Sequence, residues 1–147
     1  MVDISGKSPS ERVAVARGQI VMSTAAAAAV KQDTNSKGDV LQIARIAAIQ
    51  GVKRTSDLIP LCHVLLIEKV TVEFSWLQPE VLRCEVEVKS SGKTGVEMEA
   101  LTGVSIGLLA VYDMLKSVDK SMRIEMIELK SKSGGKSGTY QREGMAE

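Results

Sequence analysis

Residues 12–22, RVAVARGQIVM, alternate well enough to suggest a strand, weakened by Gly18. Ser23 and Thr24 follow as caps for an alanine-rich helix, AAAAAVKQ. After the break NSKGD, Asp39 or Ser36 can cap a second helix over VLQIARIAAIQGV. Its Val40, Ile43, Ala44, Ala47 and Ala48 recur at helical spacing, and it should end near Gly51. The mixed stretch KRTSDLIPLCH reads as a structured loop. Two alternating runs come next: LIEKVTVEFSW, through Val70, Val72 and Phe74, and VLRCEVEV, through Leu82, Cys84, Val86 and Val88. The link LQPE between them is a hairpin turn. Beyond SSGKTG lies the longest apolar helix pattern, from about Glu97 to Val118. A last strand, RIEMIELKSK, alternates through Ile124, Met126 or Ile127, and Leu129. Residues 1–11 read as a polar arm and residues 133–147 as a Gly/Lys-rich, partly mobile tail.

Strand, doubled helix, strand, strand, helix, strand is the order of an α+β, ferredoxin-like split βαβ fold. It predicts a four-stranded antiparallel sheet with helices on one face. No internal repeat marks a second domain, and 147 residues suit one domain able to bury a core without staples.

Composition narrows the function classes. Nineteen basic and eighteen acidic residues leave a net charge of +1, so no global field draws the chain to nucleic acid or to an acidic membrane. Aromatic residues are 3% of the chain, and VLRCEVEV has none, which argues against a sheet that stacks bases. Cys62, Cys84 and His63 are too few for a four-ligand zinc site or a disulfide framework. No uninterrupted apolar run reaches the ~18 residues of a membrane span, and the start of the chain, with Asp3, lacks a signal pattern. A soluble, cytoplasmic protein is expected.

Four segments can carry chemistry. The loop 53–63 packs Lys53, Arg54, Thr55, Ser56, Asp57, Cys62 and His63 together, and His63 is the side chain best suited to proton transfer near neutral pH. It can also be a solvated connection. In KTGVEMEA, Glu97 and Glu99 open the long helix, where carboxylates favour the dipole. Two positions is about 200° around a helix, so they do not form an acid pair on one face. The apolar residues beside them predict that at least one glutamate faces a buried region. In YDMLK, Asp113 and Lys116 are neighbours on one face, following a nearly uncharged helix that should be buried almost all round. KSGGKSG is not a phosphate loop, because Lys130 stands where the first glycine of that motif must be. Its glycines, with Lys130, Lys132 and Lys136, can still hold phosphate through backbone N–H groups and ammonium charge. Ala100, Gly103, Gly107 and Ala110 form a small-residue stripe that admits a close helix from the same chain or from a partner subunit.

The segments MVDIS, KGDV, ARIAAIQGVKRTSDLIPLCH, GKTGVEMEALTGVSIGLLAVYDMLK and KSGGKSG, in this order and over almost the whole chain, resemble the molybdenum cofactor biosynthesis protein C family, the cyclic pyranopterin monophosphate synthases. The resemblance implies a ferredoxin-like fold in a hexamer, a trimer of dimers, with sites shared between subunits. It implies conversion of a cyclic dihydroguanosine triphosphate to cyclic pyranopterin monophosphate and pyrophosphate. Carried over by motif, Lys37, His63, Glu97, Glu99, Asp113 and Lys116 are the catalytic candidates. Leu61, Cys62, His63, Met98 and Glu99 lie in segments that contact substrate, and Arg12 and Lys136 match basic positions that contact phosphates. The chain departs from the family in reading His63-Val64-Leu65 where HPL is common, implying a less rigid turn, and in starting at MVDIS without the short upstream arm of many members.

No net oxidation occurs in that reaction, so no cofactor is required, although Mg2+ can accompany the triphosphate. The partner implied is a small nucleotide-derived molecule, not nucleic acid or membrane. Asp113 and Lys116 are assigned as the central acid–base pair, with His63, Glu97 and Glu99 orienting the purine-derived part. Lys37, Arg12 and Lys136 are assigned to the triphosphate charge. Glu97 and Asp113 stand about 24 Å apart on a continuous helix. Either the helix breaks near Gly103 or Gly107, or one site draws on two subunits, which is the expectation. The rival from another class is an oligomeric nucleotide sensor without catalysis.

Overall fold

The computed structural model describes residues 1–143. Strand β1 (Ser10–Val21) is followed by α1 (Thr24–Lys31), α2 (Val40–Lys53) and a single turn, α3 (Thr55–Leu58). The hairpin β2 (Lys69–Gln78) and β3 (Val81–Gly92) leads to α4 (Glu97–Leu115), β4 (Arg123–Ser133) and a short β5 (Tyr140–Gln141). The strand order is β2-β3-β1-β4-β5, every neighbouring pair antiparallel. The first four strands give the ferredoxin-like arrangement. The expected four-stranded sheet needs one correction: the tail returns along β4, where Tyr140 faces Lys132 and Gln141 faces Ser131, as a fifth strand. The tail's last residues, 144–147, lie outside the described residues.

Local sequence accounts for most boundaries. Ser23 caps α1 through the Ala26 N–H, and Asp39, not Ser36, caps α2 through the Gln42 N–H. Alternation in β3 buries Leu82, Cys84, Val86 and Val88 completely. The loop 53–63 contains α3 because Thr55 is buried and its hydroxyl returns to the Gly51 and Val52 carbonyls, continuing the turn geometry of α2.

The helices lie on one face of the sheet, and the small-residue stripe of α4 explains how closely they pack. A Cβ on Gly103 would come within 2.8 Å of Val52 Cγ2 and 3.1 Å of Val86 Cγ1; one on Gly107 would meet Ala48 Cβ at 3.1 Å. The stripe is therefore covered by α2 of the same chain. α4 is long and apolar enough by composition to cross a membrane, but α2 and the sheet cover most of it. Burial is not complete all round: Leu109 is 54% and Met98 38% exposed. Gly103→Ala should destabilise the fold by about 1–3 kcal/mol, since Val52 is branched and stiff and cannot swing clear. A chemical-denaturation midpoint equal to that of the unsubstituted chain would refute this packing.

Candidate active site

The start of β1, the end of β4 and the start of α4 meet at one corner of the molecule. Two cavities open there, of about 740 Å3 and 420 Å3, and they share Lys7, Thr94, Gly95 and Glu97 in their walls. The larger is rimmed by Lys7, Arg12, Lys93, Lys132 and Lys136. Strand registry brings two of them, Arg12 and Lys132, to this rim. Simple alternation would turn Lys130 and Lys132 to the same side of β4. A register shift between Val15 and Ala16 instead sets Lys132 opposite Ala14, on the helix side, while Lys130 pairs with Glu85 at 2.9 Å on the other side. Gly134 and Gly135 then carry the tail over Arg12 with φ of +96° and +77°. A Cβ at Gly134 would overlap the Glu11 backbone carbonyl oxygen, and both residues sit at positive φ, so this crossing requires glycine.

The smaller cavity is amphipathic. Val2, Ile4 and Leu65 give it apolar walls, and Leu61, Cys62, His63, Glu97, Met98 and Glu99 complete it. Glu97 and Glu99 leave α4 in different directions, yet both border this cavity because it sits against the open first turn of the helix. They also titrate apart. Burial pushes the Glu97 carboxyl up, but the Lys132 ammonium at 2.8 Å and the more distant Arg12 outweigh it and hold Glu97 below its usual range. Glu99 is 4% exposed, and burial, with the charge of Glu97 beside it, raises its pKa against the opposing pull of its own backbone N–H. Two carboxyls held apart in this way can serve as an acid and a base at one place. Burial, then the nearby Glu99, also raises the Cys62 thiol, so the cysteine is not a ready thiolate.

The raised Glu99 has a consequence for stability. The folded chain binds that proton more firmly than the unfolded chain, so its contribution is present below the unfolded value of about 4.5 and is lost as pH rises through the folded value. Glu99→Gln imitates the protonated form. Its melting temperature should exceed that of the unsubstituted chain at pH 7, and the difference should shrink toward pH 4. A lower midpoint for the variant at pH 7 would contradict the assigned shift.

A second cluster sits at the other end of α4. Lys116 Nζ donates to Asp113 Oδ1 at 2.6 Å; Lys37 Nζ lies 3.6 Å from Asp113 Oδ2 and donates to the Asp113 carbonyl at 3.0 Å. The loop before α2 is fastened there by Asn35, which donates to the Met114 carbonyl and accepts from the Lys37 N–H, both at 2.8 Å. The hydrogen bond from Lys116, then the charges of Lys116 and Lys37, hold the Asp113 carboxyl below its ordinary range, and Asp113 raises Lys116 in return. The pair is not at the edge of burial as the sequence suggests. The Asp113 and Lys116 side chains are 59% and 52% exposed, and their shifts come chiefly from each other.

The pattern of the MoaC family matches residues 1–135 of this sequence. The chain belongs to the MoaC family. Among its relatives, the cyclic pyranopterin monophosphate synthase of Campylobacter jejuni is 54% identical over 143 residues, covering 97% of this chain and 91% of that one. The cyclic pyranopterin monophosphate synthase of Rhodopirellula baltica is 48% identical over 153 residues, covering 97% of this chain and 87% of its own.

In this MoaC-family chain the site residues expected from sequence fall into two groups. Arg12, Leu61, Cys62, His63, Glu97, Met98, Glu99 and Lys136 line the joined cavities. Lys37, Asp113 and Lys116 stand together at the far end of α4, which runs unbroken through Gly103 and Gly107. A broken helix therefore does not bring the groups together within one chain. Lys7 and Lys93 line the cavity without having been singled out, and Lys132 was named only as one of three tail lysines. The GKTG turn before α4 was a usable sign for Lys93. Nothing in the local pattern marks Lys7, and the register shift that turns Lys132 inward depends on the pairing of β4 with β1.

Proposed function

We infer that the chain is a cyclic pyranopterin monophosphate synthase, a lyase of molybdenum cofactor biosynthesis that converts a cyclic dihydroguanosine triphosphate to cyclic pyranopterin monophosphate and pyrophosphate. The match to synthases at 48% and 54% identity, over 97% of the chain, carries this conclusion. The joined cavities support it. The basic chamber suits a triphosphate and its pyrophosphate leaving group, and the amphipathic chamber suits a polar, purine-derived ring.

Ring opening and reclosure move several protons and require no net oxidation, so no redox cofactor enters. Ionised Glu97 and the readily protonated Glu99 accept and donate hydrogen bonds on the ring, with His63 beside them. Arg12, Lys132 and Lys136 stabilise charge on the phosphates. Among the described residues no group of three His, Cys, Asp or Glu side chains gathers to hold a metal. A magnesium ion can accompany the substrate's phosphates. A nucleotide-derived substrate and two free thiols suit the cytoplasm.

Lys37, Asp113 and Lys116 complete the site from a neighbouring copy of the chain, in a hexamer built as a trimer of dimers. Two features support a neighbour at the cleft. An unbroken helix holds Asp113 about 24 Å from Glu97, and Leu58, Leu61, Val64 and Leu66, along the segment that carries His63, are 55–87% exposed.

The deciding assay supplies purified protein with the cyclic dihydroguanosine triphosphate and follows both products. Pyrophosphate and cyclic pyranopterin monophosphate should appear together and in equal amounts. Tight binding with neither product would replace the synthase by a nucleotide sensor.

A further inference from the structure

Residues 1–9 lie outside the sheet, yet contacts at Val2 and Ser5 hold them against the cleft. Asp3 Oδ1 accepts from the Ser5 N–H at 2.8 Å, and the Lys7 N–H reaches the Ile4 carbonyl at 3.1 Å, so two short turns fold the arm. His63 Nε2 is 2.8 Å from the Val2 carbonyl, which can only accept, so the ring donates there. Lys93 Nζ donates to the Ser5 carbonyl at 3.0 Å. Lys7 lines both cavities. Among the described residues its ammonium has no ion pair and no side-chain hydrogen bond, whereas Lys132 in the same cavity is paired with Glu97.

We propose that the N-terminal arm is a strap that closes over bound substrate, and that Lys7 is its substrate-binding residue, placed on the phosphate chain where the two cavities join. The synthase reading supplies the identity of the substrate; the capture of a polyphosphate does not depend on it. The strap is pinned through two neutral carbonyls, contacts that water replaces easily, so it can open without breaking an ion pair. A phosphate oxygen at Lys7 adds a charge-assisted third point, roughly twice as strong as a neutral hydrogen bond. Substrate then tightens the arm over the cleft, and the arm in turn slows the substrate's escape.

The test uses inorganic tripolyphosphate as the probe, with Lys7→Ala, Lys7→Arg and, as a control for general charge, Lys120→Ala. Calorimetry should give a Kd about ten-fold weaker for Lys7→Ala and within about two-fold of the unsubstituted chain for Lys7→Arg and Lys120→Ala. Tripolyphosphate should slow hydrogen exchange in residues 2–8, and Lys7→Ala should abolish that slowing. In turnover, KM for Lys7→Ala should rise about ten-fold with kcat within about two-fold. Equal affinity of Lys7→Ala and the unsubstituted chain, or equal weakening by Lys120→Ala, would overturn the proposal. Product formation with an unchanged KM in Lys7→Ala would overturn it too and leave the synthase reading standing. Weakened tripolyphosphate binding in a chain that makes no product would do the reverse.

Discussion

Asp113→Asn should lower turnover by a factor of about 10² to 10⁴, the range associated with losing a positioned acid or base, while the melting temperature hardly changes. The two halves of this expectation have separate causes. Asp113 is exposed and supports no buried contact, so the fold does not depend on its charge. The carboxylate nevertheless binds one ammonium at 2.6 Å and stands 3.6 Å from a second. Asparagine keeps the shape and removes both the proton acceptor and the charge. The substitution should also move the pH–rate profile. Asp113 raises Lys116, first through its hydrogen bond and then through its charge. Without it the ammonium loses its proton at lower pH, so activity at the alkaline limb should fall earlier in the residual profile. Near-normal turnover in the variant would remove Asp113 from the centre of the mechanism. A collapse of the melting temperature would instead make its role structural.

Mixing two inactive variants should restore activity if the site is shared. Glu99→Gln alone should disable the cavity end of every site, and Asp113→Asn alone should disable the other end. When the two chains are unfolded together and refolded as mixed oligomers, each site draws one end from each of two subunits. Random assembly at equal amounts leaves about a quarter of the sites with both ends intact. Recovery of about a quarter of the unsubstituted rate is therefore expected, from near zero in either variant alone. The geometry makes this a sharp test, because α4 holds the two ends about 24 Å apart and contains no break. Absence of recovery in verified mixed oligomers would show that each chain completes its own site by some other route.

The strand and helix periods were legible because burial selects side chains by local repeat. Leu82, Cys84, Val86 and Val88 alternate in the sequence and are fully buried in β3. The long apolar run from Glu97 likewise becomes the central helix, ending at Leu115, three residues short of the expected Val118. Gly18 looked like a weakness in β1. Its reason is tertiary: Val104, Leu108 and Ile127 side chains would lie within 3.0 Å of a Cβ there, so α4 presses on the strand at that point. The small-residue stripe of α4 was equally legible as a place of close approach, but composition could not say whose helix approached.

By itself the sequence determined the order of β1 to β4 with α1, α2 and α4, the buried face of β3, the short stretches in which the caps of α1 and α2 lie, and the segments that carry polar chemistry. All of these follow from interactions within a turn or two, or from a repeat that burial enforces. Only the tertiary structure decided which of those segments meet. It turned Lys132 inward through a register shift, returned the tail as β5, laid the arm with Lys7 across the cleft, and let Glu97 and Glu99 share a cavity that helix geometry alone had seemed to deny them. Such meetings depend on strand pairing and on where elements end in space, and neither is encoded in the spacing of neighbouring residues.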